Sequence, residues 1–236
     1  MIDRAFTEAI ATQGVVTGTT AYARCMATVH QTRGQAAADV LQILFPDSEA
    51  RGQAANLTFD RACLDAIGRM GVTPVPGAAE AFDSLGQAGI RICVTSALSR
   101  RVLTATLQGL GWQDRIDLAL GADDAPRGAP WPDVVLLAML RLGVTDVRET
   151  AAVNSTESGV LSGRRSGAGI VAGVLTGPHA RDRLRRAGAT HLMPSIAYLP
   201  ELVAMASGDA PGAAHAGARP VSRLPANPAA AGTAEG

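Results

Sequence analysis

The sequence predicts an α/β fold in which a doubly wound parallel sheet follows an N-terminal helical unit. Three observations carry this. Apolar residues recur at helical spacing through the first seventy positions, with no strand pattern among them. Thr73-Pro74-Val75-Pro76-Gly77 then breaks the chain. Beyond it, short continuous apolar runs alternate with helical stretches, the pattern of a parallel sheet covered on both faces.

The first helix carries Ile2, Ala5, Phe6, Ala9 and Ile10 on one face and ends at Gly14. Thr19-Thr20 starts a second, with Tyr22, Cys25, Met26 and Val29. A third closes through Val40, Leu41, Ile43, Leu44 and Phe45, where Pro46 stops it. The fourth runs from about Ser48 to Met70, with Ala55, Phe59, Ala62, Cys63 and Ile67 along one face. Residues 1–72 therefore read as a helical unit and 73–206 as the α/β unit. In the second unit, strands are expected at 90–95, 116–120, 150–153 and 170–175, with a last short run at 190–193. Helices are expected at 78–88, 99–110, 133–142, 158–165 and 181–186, and the strands should form one parallel sheet. Residues 207–236 are rich in Ala, Gly and Pro and hold no aromatic residue. Such a segment buries too little surface to offset its conformational entropy and is expected to be disordered.

Composition excludes several kinds of chemistry. Apolar residues make up 47% of the 236 positions, enough for a full core, but aromatics are only 3%, so Ala, Val, Leu and Ile must build it. Formal net charge is zero, which gives no reason to expect nucleic acid or an anionic membrane as partner. All 21 basic residues are arginine. Without lysine there is no lysine Schiff base and no lysine phosphate clamp. Cys25, Cys63 and Cys93 are odd in number, match no zinc spacing and sit in apolar stretches. They read as small core hydrophobes, a reactive thiol being the sharper alternative. The N-terminus lacks a basic region followed by a long apolar run, and the apolar run Val134 to Leu140 is far too short to span a bilayer. A soluble, cytoplasmic protein is expected.

Five segments carry a resemblance. They are Pro76-Gly77-Ala78-Ala79-Glu80-Ala81; Val94-Thr95-Ser96; Gly128-Ala129-Pro130-Trp131-Pro132-Asp133; Val153 through Gly163; and Gly173-Val174-Leu175-Thr176-Gly177. In order and spacing, Pro74 to Leu202 resembles the phosphonatase-like hydrolases of the haloacid dehalogenase superfamily. The helical first seventy residues are similar to that family's cap, inserted just after its first core strand. The resemblance implies an aspartate nucleophile at the end of that strand and a magnesium ion held by acidic residues. It also implies a Ser or Thr and a Lys or Arg on the phosphoryl oxygens.

Residue by residue, this chain departs from that pattern. The family's Asp-x-Asp/Ala-Gly-Thr segment precedes the cap, whereas Met1 already lies in the first cap helix, so the first core strand is missing. A start assigned too late and a truncated gene both account for this. In the family that strand lies between the strands ending at Ser96 and Val153, so these two should either flank a gap or pair directly. Ser96 and Ala97 stand at the phosphoryl-binding position, where a hydroxyl and free backbone N–H groups at a helix start suit an anion. Alternatively Ser96 and Ser99 only cap the helix. Ala129 replaces the basic residue of Gly-Lys/Arg-Pro, and Arg127, two residues earlier, either bends inward or lies on the surface. Trp131 keeps the aromatic position, and Asp133 should cap the next helix. The metal pattern Gly-Asp-x-x-x-Asp reads Asn154-Ser155-Thr156-Glu157-Ser158-Gly159, with Ser155 and Gly159 at the aspartate positions. Glu157 is the remaining carboxylate there, and at a helix start it should serve the helix dipole rather than a metal. Ala37 stands where relatives that cleave carbon–phosphorus bonds carry their imine-forming lysine.

Other candidates are weaker. His30, His179, His191 and His215 are scattered, and Asp123-Asp124 reads as a solvated loop. Arg181, Arg183, Arg185 and Arg186 read as a solvated helix face, or as a patch for an acidic partner. The expectation is a hydrolase homologue without catalysis, acting as a binding protein or as the partner subunit of an active homologue, or else a decaying gene product. The alternative is an active hydrolase of a small phosphorylated or phosphonate substrate with a rearranged site. No cofactor is expected, with magnesium the family's ion if the chain is active. A small anionic ligand and a homo- or hetero-oligomer are the partners to test, with neither nucleic acid nor membrane. Restoring the upstream segment together with Ala129→Arg, Ser155→Asp and Gly159→Asp is the combination expected to bring chemistry back.

Overall fold

Four helices fill the first seventy residues of the computed structural model, which describes residues 1–208. They are α1 (Ile2–Ala11), α2 (Thr20–Gln31), α3 (Ala37–Leu44) and α4 (Glu49–Met70). Side chains set the starts of α2 and α4 as the sequence suggests. The Thr19 hydroxyl accepts from Tyr22 N at 3.2 Å, and the Ser48 hydroxyl accepts from Arg51 N at 3.3 Å. Their apolar faces meet in one cluster that includes Phe6, Ile10, Leu41, Phe59 and Cys63, with the Phe6 and Phe59 rings 4.6 Å apart.

That cluster does not stop at the helical unit. Val102, from the helix Arg100–Leu110, is fully buried in it, and Leu98 packs against it. The two units therefore share a core and are less separate than their sequence patterns imply. The cause is α4, which lies against α1 and α3 and also packs on that same helix of the α/β unit.

The α/β unit comprises α5 (Ala78–Gln87), β1 (Cys93–Thr95), α6 (Arg100–Leu110), β2 (Leu118–Leu120), α7 (Asp133–Arg141) and β3 (Ala151–Asn154). It continues with α8 (Glu157–Arg165), β4 (Ile170–Val174), α9 (Arg181–Ala187), β5 (His191–Met193) and α10 (Leu199–Ser207), the last unread in the sequence. Every strand pair is parallel. The expected single sheet, however, is two, β1–β2 and β3–β4–β5. Of the two outcomes foreseen for the strands ending near Ser96 and Val153, the gap is the one observed. The burial pattern agrees: no residue of β1 or β3 is fully buried, whereas four of the five in β4 are. Side chains hold the halves together instead, since Ile92, just before β1, shares a cluster with Val153, Ala172, Val174 and Met193. β1 is also shorter than its apolar run, because the Asp117 carboxylate takes Ile92 N at 2.7 Å.

Ala129–Pro130 is a cis peptide. No helix among the described residues is long and apolar enough to cross a membrane. The expected tail begins within α10 at Ser207, and from residue 209 it lies outside the described residues.

Candidate functional site

Some of the positions singled out in the sequence, Ala97 and Ala37 among them, meet at the segment joining α2 to α3, which the loop after β3 also touches. Ser96 N extends the β1–β2 ladder by donating to Leu120 O at 2.9 Å. Its hydroxyl accepts from Leu98 N at 3.1 Å, closing a small turn on itself. Capping of α6 falls to Ser99, whose hydroxyl accepts from Val102 N at 3.4 Å. The carbonyl of Ala97 accepts from Ala37 N at 3.2 Å, so two of the singled-out positions meet directly. Both line a cavity of about 300 Å³ between the helical unit and the loops of the α/β unit.

The loop after β3 faces the same segment. Ser158, nearly buried, donates its hydroxyl to Arg33 O at 3.0 Å. Gly34 lies against this loop with φ +89°, where a Cβ would stand 2.5 Å from Ser158 Oγ. Only glycine combines that backbone with that approach. Within the loop, Thr156 Oγ1 accepts from Gly159 N at 3.2 Å and donates to Asn154 Oδ1 at 2.8 Å; Thr156 N also donates to Asn154 Oδ1, at 3.0 Å. The Asn154 carboxamide is thereby pinned in the space before Gly159, where an added Cβ would overlap it. Ser155 is packed against Gly177.

Glu157 opens α8, as a residue serving the helix dipole should. It also holds Arg183, which donates from Nη2 at 2.6 Å and Nε at 2.9 Å. Magnesium requires several hard oxygen ligands in a near-octahedral set. Ser155 and Gly159 bring no carboxylate to this loop, Glu157 is paired, and the described residues form no cluster of three acidic, His or Cys side chains. The donors as placed do not fit the ion.

His179 has a position that its isolation in the sequence did not suggest. It is buried, and its Nδ1 accepts from Glu157 N at 2.8 Å, so it covers an N-terminal amide of α8. Burial first, then the nearby Arg183 and Arg33 guanidiniums, hold its pKa below the ordinary 6.5, with Glu157 opposing. A depressed imidazole favours the neutral form in the folded chain. Its contribution to stability is thus fully present above about pH 6.5, and it is lost as pH falls through the lower folded value. The urea midpoint of the natural chain is expected to drop between pH 7.5 and 5 by more than that of His179→Gln. Equal slopes would remove His179 from this role.

Arg127 does not bend inward. Its Nε and Nη2 each donate to Asp133 at 2.9 Å, and its guanidinium lies 4.6 Å from the Trp131 ring centroid, which Arg165 approaches at 5.1 Å. Asp133 consequently pairs with Arg127 and does not cap α7, whose N-cap position is Pro132. Ala129 is left with its methyl alone, next to Gly128, whose Cβ position is 3.0 Å from Ala36 Cβ. Of Asp123 and Asp124, expected as a solvated loop, Asp123 is exposed and Asp124 largely covered, and both carboxylates are hydrogen-bonded. Asp123 accepts from Arg100 N at 2.6 Å, and Asp124 takes Gly121 N at 2.7 Å and pairs with the Arg100 guanidinium. Together they tie the β2 loop to the start of α6. On α9, Arg183 is paired while Arg181, Arg185 and Arg186 remain exposed. Burial pushes the Cys63 and Cys93 thiols up to about 12, which suits core hydrophobes rather than nucleophiles.

Comparison with known proteins fits this geometry. A family model described as a haloacid dehalogenase-like hydrolase matches residues 4–167. Phosphonoacetaldehyde hydrolase of Bordetella pertussis is 34% identical over 158 residues, covering 56% of this chain and 56% of that one. Phosphonoacetaldehyde hydrolase of Pseudomonas fluorescens is 32% identical over 104 residues, 44% of this chain and 38% of that one. The chain thus spans about half the length, or less, of these curated relatives. Among solved structures, a hydrolase from Pseudomonas syringae superposes with a TM-score of 0.72 at 21% identity, over 85% of this chain and 89% of that one. A phosphonoacetaldehyde hydrolase-like protein from Oleispira antarctica gives 0.69 at 20% identity, over 86% and 85%. At those identities the structures speak for the fold.

Proposed function

The chain belongs to the haloacid dehalogenase-like hydrolase family, and from that premise we propose that it is a catalytically silent member that works by binding. The observation that carries this reading is Asn154, whose side chain fills the space before Gly159 where the family pattern calls for a metal-binding carboxylate. The neighbouring substitutions support it. Ser155 and Ala129 replace an acidic and a basic residue, and Arg127 and Glu157 are each committed to a partner elsewhere. Family chemistry concentrates a nucleophile, a cation and a basic clamp on one phosphoryl group. Loss of a single electrostatic donor of that kind costs on the order of a hundred- to thousandfold in rate.

The chain of 236 residues, assayed with magnesium against phosphonoacetaldehyde and 4-nitrophenyl phosphate, is expected to give no turnover above background. Hydrolysis of either compound that Ser96→Ala abolishes would overturn the reading. It would favour instead an active hydrolase of a small phosphorylated or phosphonate substrate; the Bordetella relative is named for hydrolysis of phosphonoacetaldehyde.

A further inference from the structure

The cavity beside Ala37 and Ala97 is built for something other than a phosphoryl group. Its walls are Ile2, Phe6, Val29, Val40, Phe59 and Leu98. The polar groups around it are mostly paired within the chain. Arg33 donates to the two Asp3 oxygens at 2.7 and 2.9 Å, and its carbonyl takes the Ser158 hydroxyl. The Thr32 hydroxyl donates to Thr28 O at 2.8 Å. Among the described lining side chains, the Gln35 carboxamide and the Arg33 Nε and Nη1 groups have no hydrogen-bond partner in the chain, and the Arg33 charge is matched by Asp3.

These facts set the class of ligand. An anion entering here exchanges its hydration for apolar walls and meets a guanidinium already held by a carboxylate. A neutral apolar body gives up little and gains burial. An apolar cavity of roughly 150 Å³ suffices for benzene. The volume here, about 300 Å³, accommodates two fused rings. We infer that this cavity binds a small neutral molecule with an apolar body of about that size and one hydroxyl-type group facing Gln35. The inference rests on the reading of the chain as a binding protein and names what it binds. It departs from the small anionic ligand that the sequence suggested.

Titration calorimetry of the 236-residue chain with 1-naphthol and with 1-naphthyl phosphate separates the alternatives, since the two probes share one body. Saturable binding of 1-naphthol at one site is expected, with the phosphate ester at least about tenfold weaker, a difference of about 1.4 kcal/mol. Ala97→Leu and Gln35→Trp, each of which puts a larger side chain on the cavity lining, should each weaken 1-naphthol at least tenfold. Circular dichroism confirms that each variant is folded, and if one fails to fold the other decides. Absence of 1-naphthol binding, tighter binding of the ester, or unchanged affinity in a folded variant overturns the assignment. Release of naphthol from the ester is a separate readout: it refutes catalytic silence and leaves the cavity to be judged by the order of affinities.

Discussion

Gly159→Asp, the substitution that nominally restores a metal ligand, is expected to destabilise the chain by about 2.5–4.5 kcal/mol. Its Cβ would overlap the Asn154 carboxamide, so Asn154 must leave its place. Leaving breaks the two hydrogen bonds from Thr156 to Asn154 Oδ1, each worth about 1 kcal/mol net. Residual overpacking adds about 1–3 kcal/mol, while a carboxylate in the first turn of α8 returns only about 0.5 kcal/mol. The overlap therefore decides the sign. Replacing Asn154 by Ala in the same chain should recover part of the loss, because the two residues contend for one volume. Urea unfolding of both single variants and the double variant checks this. Additive losses would show that Asn154 is not the obstacle. For chemistry, the upstream segment together with Ala129→Arg, Ser155→Asp and Gly159→Asp is therefore expected to need a change at Asn154 as well, because Asn154 occupies the volume of the new carboxylate.

Phe59→Ala carries the other large effect, a loss of about 3–5 kcal/mol, the range for a fully buried phenylalanine. Phe59 has no exposed surface and lies 4.6 Å from the Phe6 ring. It belongs to the cluster that also holds Val102 of α6. The damage should therefore not stay within the helical unit. Hydrogen exchange is expected to show the amides of α4 and of β4 losing protection together as urea rises, in the natural chain and in the variant alike. Protection that survives at β4 after α4 has opened would mean that the cluster joins the units only loosely.

Much of this architecture is legible in the sequence because its causes are local. Thr19, Ser48 and Ser99 announce helix starts through their own hydroxyls, and the apolar runs Ile90 to Thr95 and Ile170 to Leu175 mark strands by composition. The split of the sheet is different in kind. Strand pairing depends on which neighbour reaches each edge, and nothing within β1 or β3 records that their outer edges lack a strand. α10 goes unread for another reason, since Leu199 to Ser207 adjoins a segment already dominated by Ala, Gly and Pro.

At the candidate site, residue identity was readable and placement was not. The replacements Ala37, Ala129, Ser155 and Gly159 stand in the letters themselves. That Asn154 fills the space at Gly159, that Ser158 reaches Arg33 across 125 residues and that His179 covers Glu157 N are products of packing between distant segments. Asp133 misled in a simpler way: it has a sensible local role as a cap, and it pairs instead with Arg127, which lies on the surface as one of its two readings had it.

The guanidinium pair at Trp131 gives the chain a built-in optical contrast. Trp131 is 46% exposed beneath Arg127 and Arg165, whereas Trp112 sits edge-on to Phe82 and is only partly exposed. Two guanidiniums against the single Asp133 carboxylate leave net positive charge around the outer indole. Iodide should quench its red-shifted emission more strongly than neutral acrylamide does, leaving the bluer emission of Trp112. Both indoles lie in the α/β unit, so tryptophan light follows that unit alone, and the helical unit is left to the single phenol of Tyr22.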